Sequence, residues 1–158
     1  IIGGKTLNEL NFSCDPAAAL CVLTHGRNIT IASGNVCMSA FFSREESERR
    51  LSQSKNAFGQ WLSRQIAHWY DREQDIFGHG GIYQWDVYAA ACLLEPEWFT
   101  SIETNISPTA ESLRTGRLIS NGTPIPVKLP VVRDEKAFTA HIYDVYLNNQ
   151  FTIKENTQ

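Results

Sequence analysis

Apolar and polar positions follow two registers along the chain, the two-residue period of a strand and the longer period of a helix. Glu9 and Asn11 alternate with Leu10 and Phe12, which predicts an extended segment with a carboxylate and an amide on one face. Asp15 then offers a helix cap and Pro16 the first helical position, and the apolar run behind them carries a helix to His25, where Gly26 stops it. Ile29 and Ile31 flank Thr30 and predict a strand over 28–33, followed by a loop or strand end over 34–42. Ser43 and Glu46 have the spacing of a capping box. Behind them Leu51, Phe58, Leu62, Ile66 and Trp69 keep helical spacing and predict the longest helix, ending near Tyr70.

Residues 77–83 are glycine-rich but wrongly spaced for a phosphate loop, and read as a flexible approach to Trp85 and Asp86. Asp86 is expected to cap a helix over 87–94 that Glu95 and Pro96 end. Three strands are predicted over 99–106, 114–120 and 125–132. Asp134 then opens a last helix with Phe138, Ile142, Val145 and Tyr146 on one face, and the tail after Phe151 is polar. Ile1 and Ile2 read as the end of a core strand running into a Gly3-Gly4 turn, so the chain reads as a piece that starts mid-domain. Strands alternating with helices predict an α/β fold with a parallel or mixed sheet.

At 158 residues, 42% hydrophobic, the chain has the size and composition of one globular domain. A net charge of -3 with scattered Lys and Arg gives no basic face for a nucleic acid. No apolar run has the length of a membrane span. Cys14, Cys21, Cys37 and Cys92 lack the spacing of a zinc site and sit mostly among apolar residues. That predicts buried free thiols and a reducing, cytoplasmic compartment. Four Asn-x-Ser/Thr triplets, at Asn11, Asn28, Asn105 and Asn121, are discounted as chance recurrences.

The candidate chemistry lies in two segments. The first is Glu9-Leu10-Asn11-Phe12 with Asp15-Pro16 and the alanines behind them; the second is Tyr83, Trp85-Asp86, Ala90-Ala91 and Glu95-Pro96 with Phe99. Each has a plain structural reading, a solvated strand edge for the first and a capped helix beside a core aromatic for the second. Together, in this order, they resemble the Glu-Phe-Asn and Asp-Pro segment and the aromatic-x-His/Trp-Asp segment of nucleoside hydrolases. The resemblance covers nearly the whole chain, as the C-terminal half of that fold, and implies a Rossmann-like sheet with flanking helices. It also implies that Glu9 and Asn11 hold ribose hydroxyls, that Asp86 is a ligand to Ca2+, and that Trp85 stacks on the base. In one branch of the family that last position is a His, a candidate acid for the leaving group. An indole cannot act as an acid near neutral pH but can stack on a purine, so purine ribonucleosides are the expected substrates.

In the family, calcium-bound water attacks C1′ of the ribose and an Asp of an N-terminal Asp-rich loop takes its proton. The chain departs from that pattern. It contains no Asp-x-Asp-x-x-x-Asp-Asp cluster, and Lys5 stands where the family has Asn. A lone carboxylate does not hold calcium usefully. The expectation is therefore an inactive isolated chain whose full-length parent, with its N-terminal half and as a candidate homo-oligomer, cleaves the N-glycosidic bond. The contrasting expectation is a non-catalytic binding or assembly module on the same scaffold. A different glycosidase, using Glu9 and Asp86 as paired carboxylates, is a weaker alternative because nothing in the sequence fixes their separation.

Overall fold

In a computed structural model, residues 9–78 and 80–148 are described. They divide between two compact units, the first built from 9–39 with 85–133 and the second from 40–84 with 134–148. The predicted features at residues 1–5 and beyond 148 lie outside the described residues.

The first unit begins with a departure from the expected strand. Glu9 is extended (φ -141°, ψ 115°), but its side chain accepts the backbone N–H of Asn11 and so caps a short helix, α1 (Leu10–Cys14). Leu10 consequently points to solvent, 77% exposed, instead of into a sheet. Asp15 caps α2 (Pro16–His25) through the N–H of Ala18, and Gly26 ends it, in an extended rather than a left-handed conformation. A third helix, α3 (Gly34–Cys37), occupies part of the expected loop.

The strand predicted over 28–33 is reduced to one parallel bridge between Thr30 and Lys128. The reason lies in the neighbouring strand. Lys128 donates its N–H to Ile29 and accepts that of Ile31, so alternate residues on either side turn their backbone groups to the same edge. Those residues are Pro126 and Pro130. Proline has no N–H to give, so the ladder cannot lengthen in either direction. Instead the Pro130 carbonyl accepts the hydroxyl of Tyr88 at 2.9 Å.

The other edge of that strand is fully paired. As predicted, residues 99–106 and 125–132 form strands, labelled here β3 (Phe99–Ile106) and β4 (Ile125–Val132), antiparallel from Phe99↔Val132 to Ile106↔Ile125. Strands β1 (Phe41–Ser43) and β2 (Gly81–Tyr83) belong to the second unit. Residues 114–120 do not form the expected strand. A capping box of Thr109 and Ser112 starts a short helix, and the chain leaves it through Gly116 at φ +71°. Leu23, Ile31, Tyr88, Phe99, Leu113 and Leu129 are among the buried residues of this unit.

The second unit pairs β1 (Phe41–Ser43) with β2 (Gly81–Tyr83), antiparallel, so part of the expected glycine-rich loop is a strand. Among the described residues both strand ladders are therefore antiparallel, and the one parallel contact is the bridge at Thr30. The single long helix is in fact two, α4 (Arg44–Leu51) and α5 (Ala57–Phe77). Residues 52–56 interrupt it, because Asn56 turns its side-chain carbonyl to the N–H of Phe58 and starts a new helix. Ser43 caps α4 as predicted, while the Glu46 carboxylate takes Arg49 and Arg50. The last helix of this unit is Glu135–Asn148, with Asp134 capping the N–H of Ala137. Its Phe138, Ile142 and Tyr143 are buried, Tyr143 stacks on Phe42 at 4.5 Å, and the hydroxyls of Tyr70, Ser47 and Tyr143 bond one another in the core. No helix among the described residues is long and apolar enough to cross a membrane.

Candidate functional site

The first candidate segment lies in the first unit, as does the second from Trp85 onward, while Tyr83 stands on β2 of the second unit. The carboxylate of Glu9 is held at both oxygens. Oε1 accepts the backbone N–H of Asn11 at 3.2 Å and its side-chain amide at 3.0 Å, and Oε2 accepts the N–H of Gly34 at 3.2 Å. The shared carboxylate-amide surface expected from alternation is thus present, but it is made by a helix cap rather than by a strand face. In the sequence Gly34 carries only a turn signal; its role depends on a contact twenty-five residues away.

Asp86 and Trp85 occupy the first turn of α6 (Trp85–Leu94). The helix starts earlier than expected, so Trp85 opens it and Asp86 stands inside the first turn, where a carboxylate is favoured by the helix dipole. Both are exposed, Trp85 by 44%. Tyr88 anchors the helix from below, fully buried, edge-on to Phe99 and bonded to Pro130. Replacing it with Phe removes a donor to a buried carbonyl. Y88F should lower stability by about 1–2 kcal/mol, read as a fall of roughly 3–6 °C in melting temperature. An unchanged melting temperature would show that the bond does not anchor α6.

The two segments meet electrostatically at Cys37 on α3. Burial pushes this thiol up to about 12, and the charges of Glu9, Asp86 and Cys92 add to the rise. The helix α3, which carries both Gly34 and Cys37, packs on α6. Of the four free cysteines, Cys37 is buried and Cys92 half-buried, whereas Cys14 and Cys21 are exposed, which corrects the expectation of buried thiols for those two.

A calcium ion takes about six to eight oxygen ligands. Among the described residues no group of three or more His, Cys, Asp or Glu side chains gathers to hold a metal. Asp86 and its surroundings thus do not fit calcium by themselves.

Comparison with known proteins bears on this geometry. No curated protein sequence matches the chain. Its fold is similar to that of a plant nucleoside hydrolase, the PpNRh1 enzyme, with a TM-score of 0.76 at 17% identity, over 90% of this chain and 48% of that one. The chain spans about half the length of that enzyme. Residues 2–147 match the sequence model of the inosine-uridine preferring nucleoside hydrolases, and the chain belongs to that family.

Proposed function

We propose that this chain forms the substrate wall of a larger hydrolase that cleaves the N-glycosidic bond of ribonucleosides, purines first, and that the chain alone is inactive. The observation that carries the reading is the Glu9 carboxylate, fixed by Asn11 and by Gly34 of α3, the helix that packs on α6 with its Trp85 and Asp86. An ionised carboxylate offers about four lone-pair directions. Two on Oε1 are used by Asn11 and one on Oε2 by Gly34. The remaining direction on Oε2 suits one ribose hydroxyl, and the side-chain carbonyl of Asn11, whose amide is turned to Glu9, suits a second. The exposed indole of Trp85 gives a face on which a purine stacks.

Calcium dependence belongs to the same proposal, with Asp86 offering one carboxylate and the remaining ligands, with the general base, coming from sequence beyond this chain. The surface of α6 supports a larger assembly. Leu93 and Leu94 are 82% and 76% exposed, with Ala89 and Ala90 exposed one turn before them. A helix apolar on most sides is one built to be covered.

The test is a thermal melt and an activity assay on the full-length gene product beside the isolated chain. The full-length protein should release base from inosine, lose that activity with a calcium chelator, and melt at higher temperature with millimolar calcium and nucleoside, since ligands of the folded state alone raise the midpoint. The isolated chain should do none of these. A full-length protein with neither release nor shift would favour a binding module lacking the chemistry.

A further inference from the structure

Glu9 is held at its backbone as well as at its carboxylate, by a residue from the far end of the unit. Its N–H donates to the carbonyl of Gly116 at 2.7 Å. Gly116 leaves the turn after the short helix capped by Thr109 at φ +71°, its own N–H bonded to Leu113 at 2.9 Å. The fit is tight on the side facing Glu9. A Cβ at position 116 would lie 2.5 Å from the Glu9 carbonyl oxygen, 3.0 Å from its carbonyl carbon and 3.2 Å from its nitrogen. All three are backbone atoms, which cannot swing aside as a flexible side chain would.

We infer that Gly116 is a positioning residue for the Glu9 carboxylate, acting by close backbone approach rather than by contact with substrate. Any side chain there pushes the Glu9 backbone away. Because Glu9 is the cap of α1, the push also moves the carboxylate off the N–H of Gly34 and changes the lone pair left for a ribose hydroxyl. That last consequence rests on the reading of Glu9 proposed above; the clamp itself does not.

Two substitutions separate the causes. Alanine adds a Cβ and is strained at positive φ, whereas asparagine adds the same Cβ but tolerates the left-handed region several-fold better. The experiment is amide NMR of the 158-residue chain, reading the proton shift of Gly34 in the wild type, E9A, G116A and G116N. E9A removes the acceptor and should move the Gly34 amide upfield. G116A and G116N should both reproduce most of that movement, while amides of β3 and β4 distant from Gly116 hold their positions. If both variants leave Gly34 at its wild-type shift, or if G116A moves it and G116N does not, close approach is not what places Glu9 and the inference is overturned.

A second measurement needs no variant at position 116. The Glu9 amide in the wild-type chain should be protected from hydrogen exchange, as a bonded N–H is; exchange at the rate of an exposed amide would equally overturn the clamp. Neither readout uses catalysis. A confirmed clamp with no nucleoside hydrolysis in the full-length protein would therefore refute the functional reading and leave the positioning intact.

Discussion

Between about pH 9 and 12 the protein is expected to unfold, because several buried acids, Cys37, Tyr88, Tyr143, Tyr70 and Tyr146 among them, resist ionisation in the folded state. Burial pushes the Tyr88 phenol up to about 12 from 10.0, and the Cys37 thiol up to about 12 from 9.0, where nearby Glu9, Asp86 and Cys92 add to the effect. Tyr143, locked with Ser47 and Tyr70 in the second unit, is also raised, by burial first. For a group whose folded-state value lies above its unfolded one, the stabilisation is complete below the unfolded value and is lost as pH rises to the folded one. A tenfold change in acidity corresponds to about 1.4 kcal/mol, so Tyr88 contributes roughly 3 kcal/mol and Cys37 roughly 4 kcal/mol to this loss. Together these are a large part of a typical total of about 5–15 kcal/mol, and the raised Tyr143, Tyr70 and Tyr146 add to the loss.

Helix content by circular dichroism and tyrosinate absorbance should then change at one common midpoint. Helix content that stays intact while the absorbance of all five tyrosinates appears would show that the buried phenols ionise without unfolding. C37A, which deletes one of these acids and fits the small space of a thiol, should move the midpoint upward.

The elements that could be read from the sequence are those whose cause is local. Asp15-Pro16 before an alanine run, the strand expected over 99–106 and Asp134 before a run of helical spacing each formed where expected. Where the cause is remote, or lies in a neighbouring strand, the pattern misled. Residues 28–33 alternate well enough for a strand, but Pro126 and Pro130 on β4 remove the donors they would need. Leu10 and Phe12 alternate with Glu9 and Asn11, yet a carboxylate two residues before an amide can also cap, and capping prevailed. The helical spacing from Leu51 to Trp69 bridges a break that Asn56 creates. At the candidate site the same division holds: Glu9, Asn11, Trp85 and Asp86 stand in readable motifs, while Gly34, in an expected loop, and Gly116, in an expected strand, show their hold on Glu9 only once the chain is folded.

If Glu9 grips one ribose hydroxyl through the single lone pair that Asn11 and Gly34 leave it, E9A in the full-length enzyme should cost on the order of 10²-fold in kcat/KM for inosine, corresponding to one hydrogen bond to a charged group worth about 1.5–3 kcal/mol. A glutamine is no adequate replacement. Its one carbonyl oxygen cannot serve both Asn11 and Gly34, and its NH2 group would face another donor at one of them. E9Q should therefore fall close to E9A rather than to the wild type. Because Asn11 and Glu9 orient each other, N11A should also weaken the grip, and the double variant should lose less than the two single losses combined. The substrate offers an independent check. A nucleoside lacking the gripped hydroxyl, tested in 2′-deoxy and 3′-deoxy forms, should lose a comparable factor with the wild type and little more when E9A is introduced. Equal penalties from E9A on the ribonucleoside and on both deoxy forms would mean that Glu9 acts on the fold alone. In that case its bonds to Asn11 and Gly34 would account for the whole effect, and the ribose grip would have to be sought elsewhere.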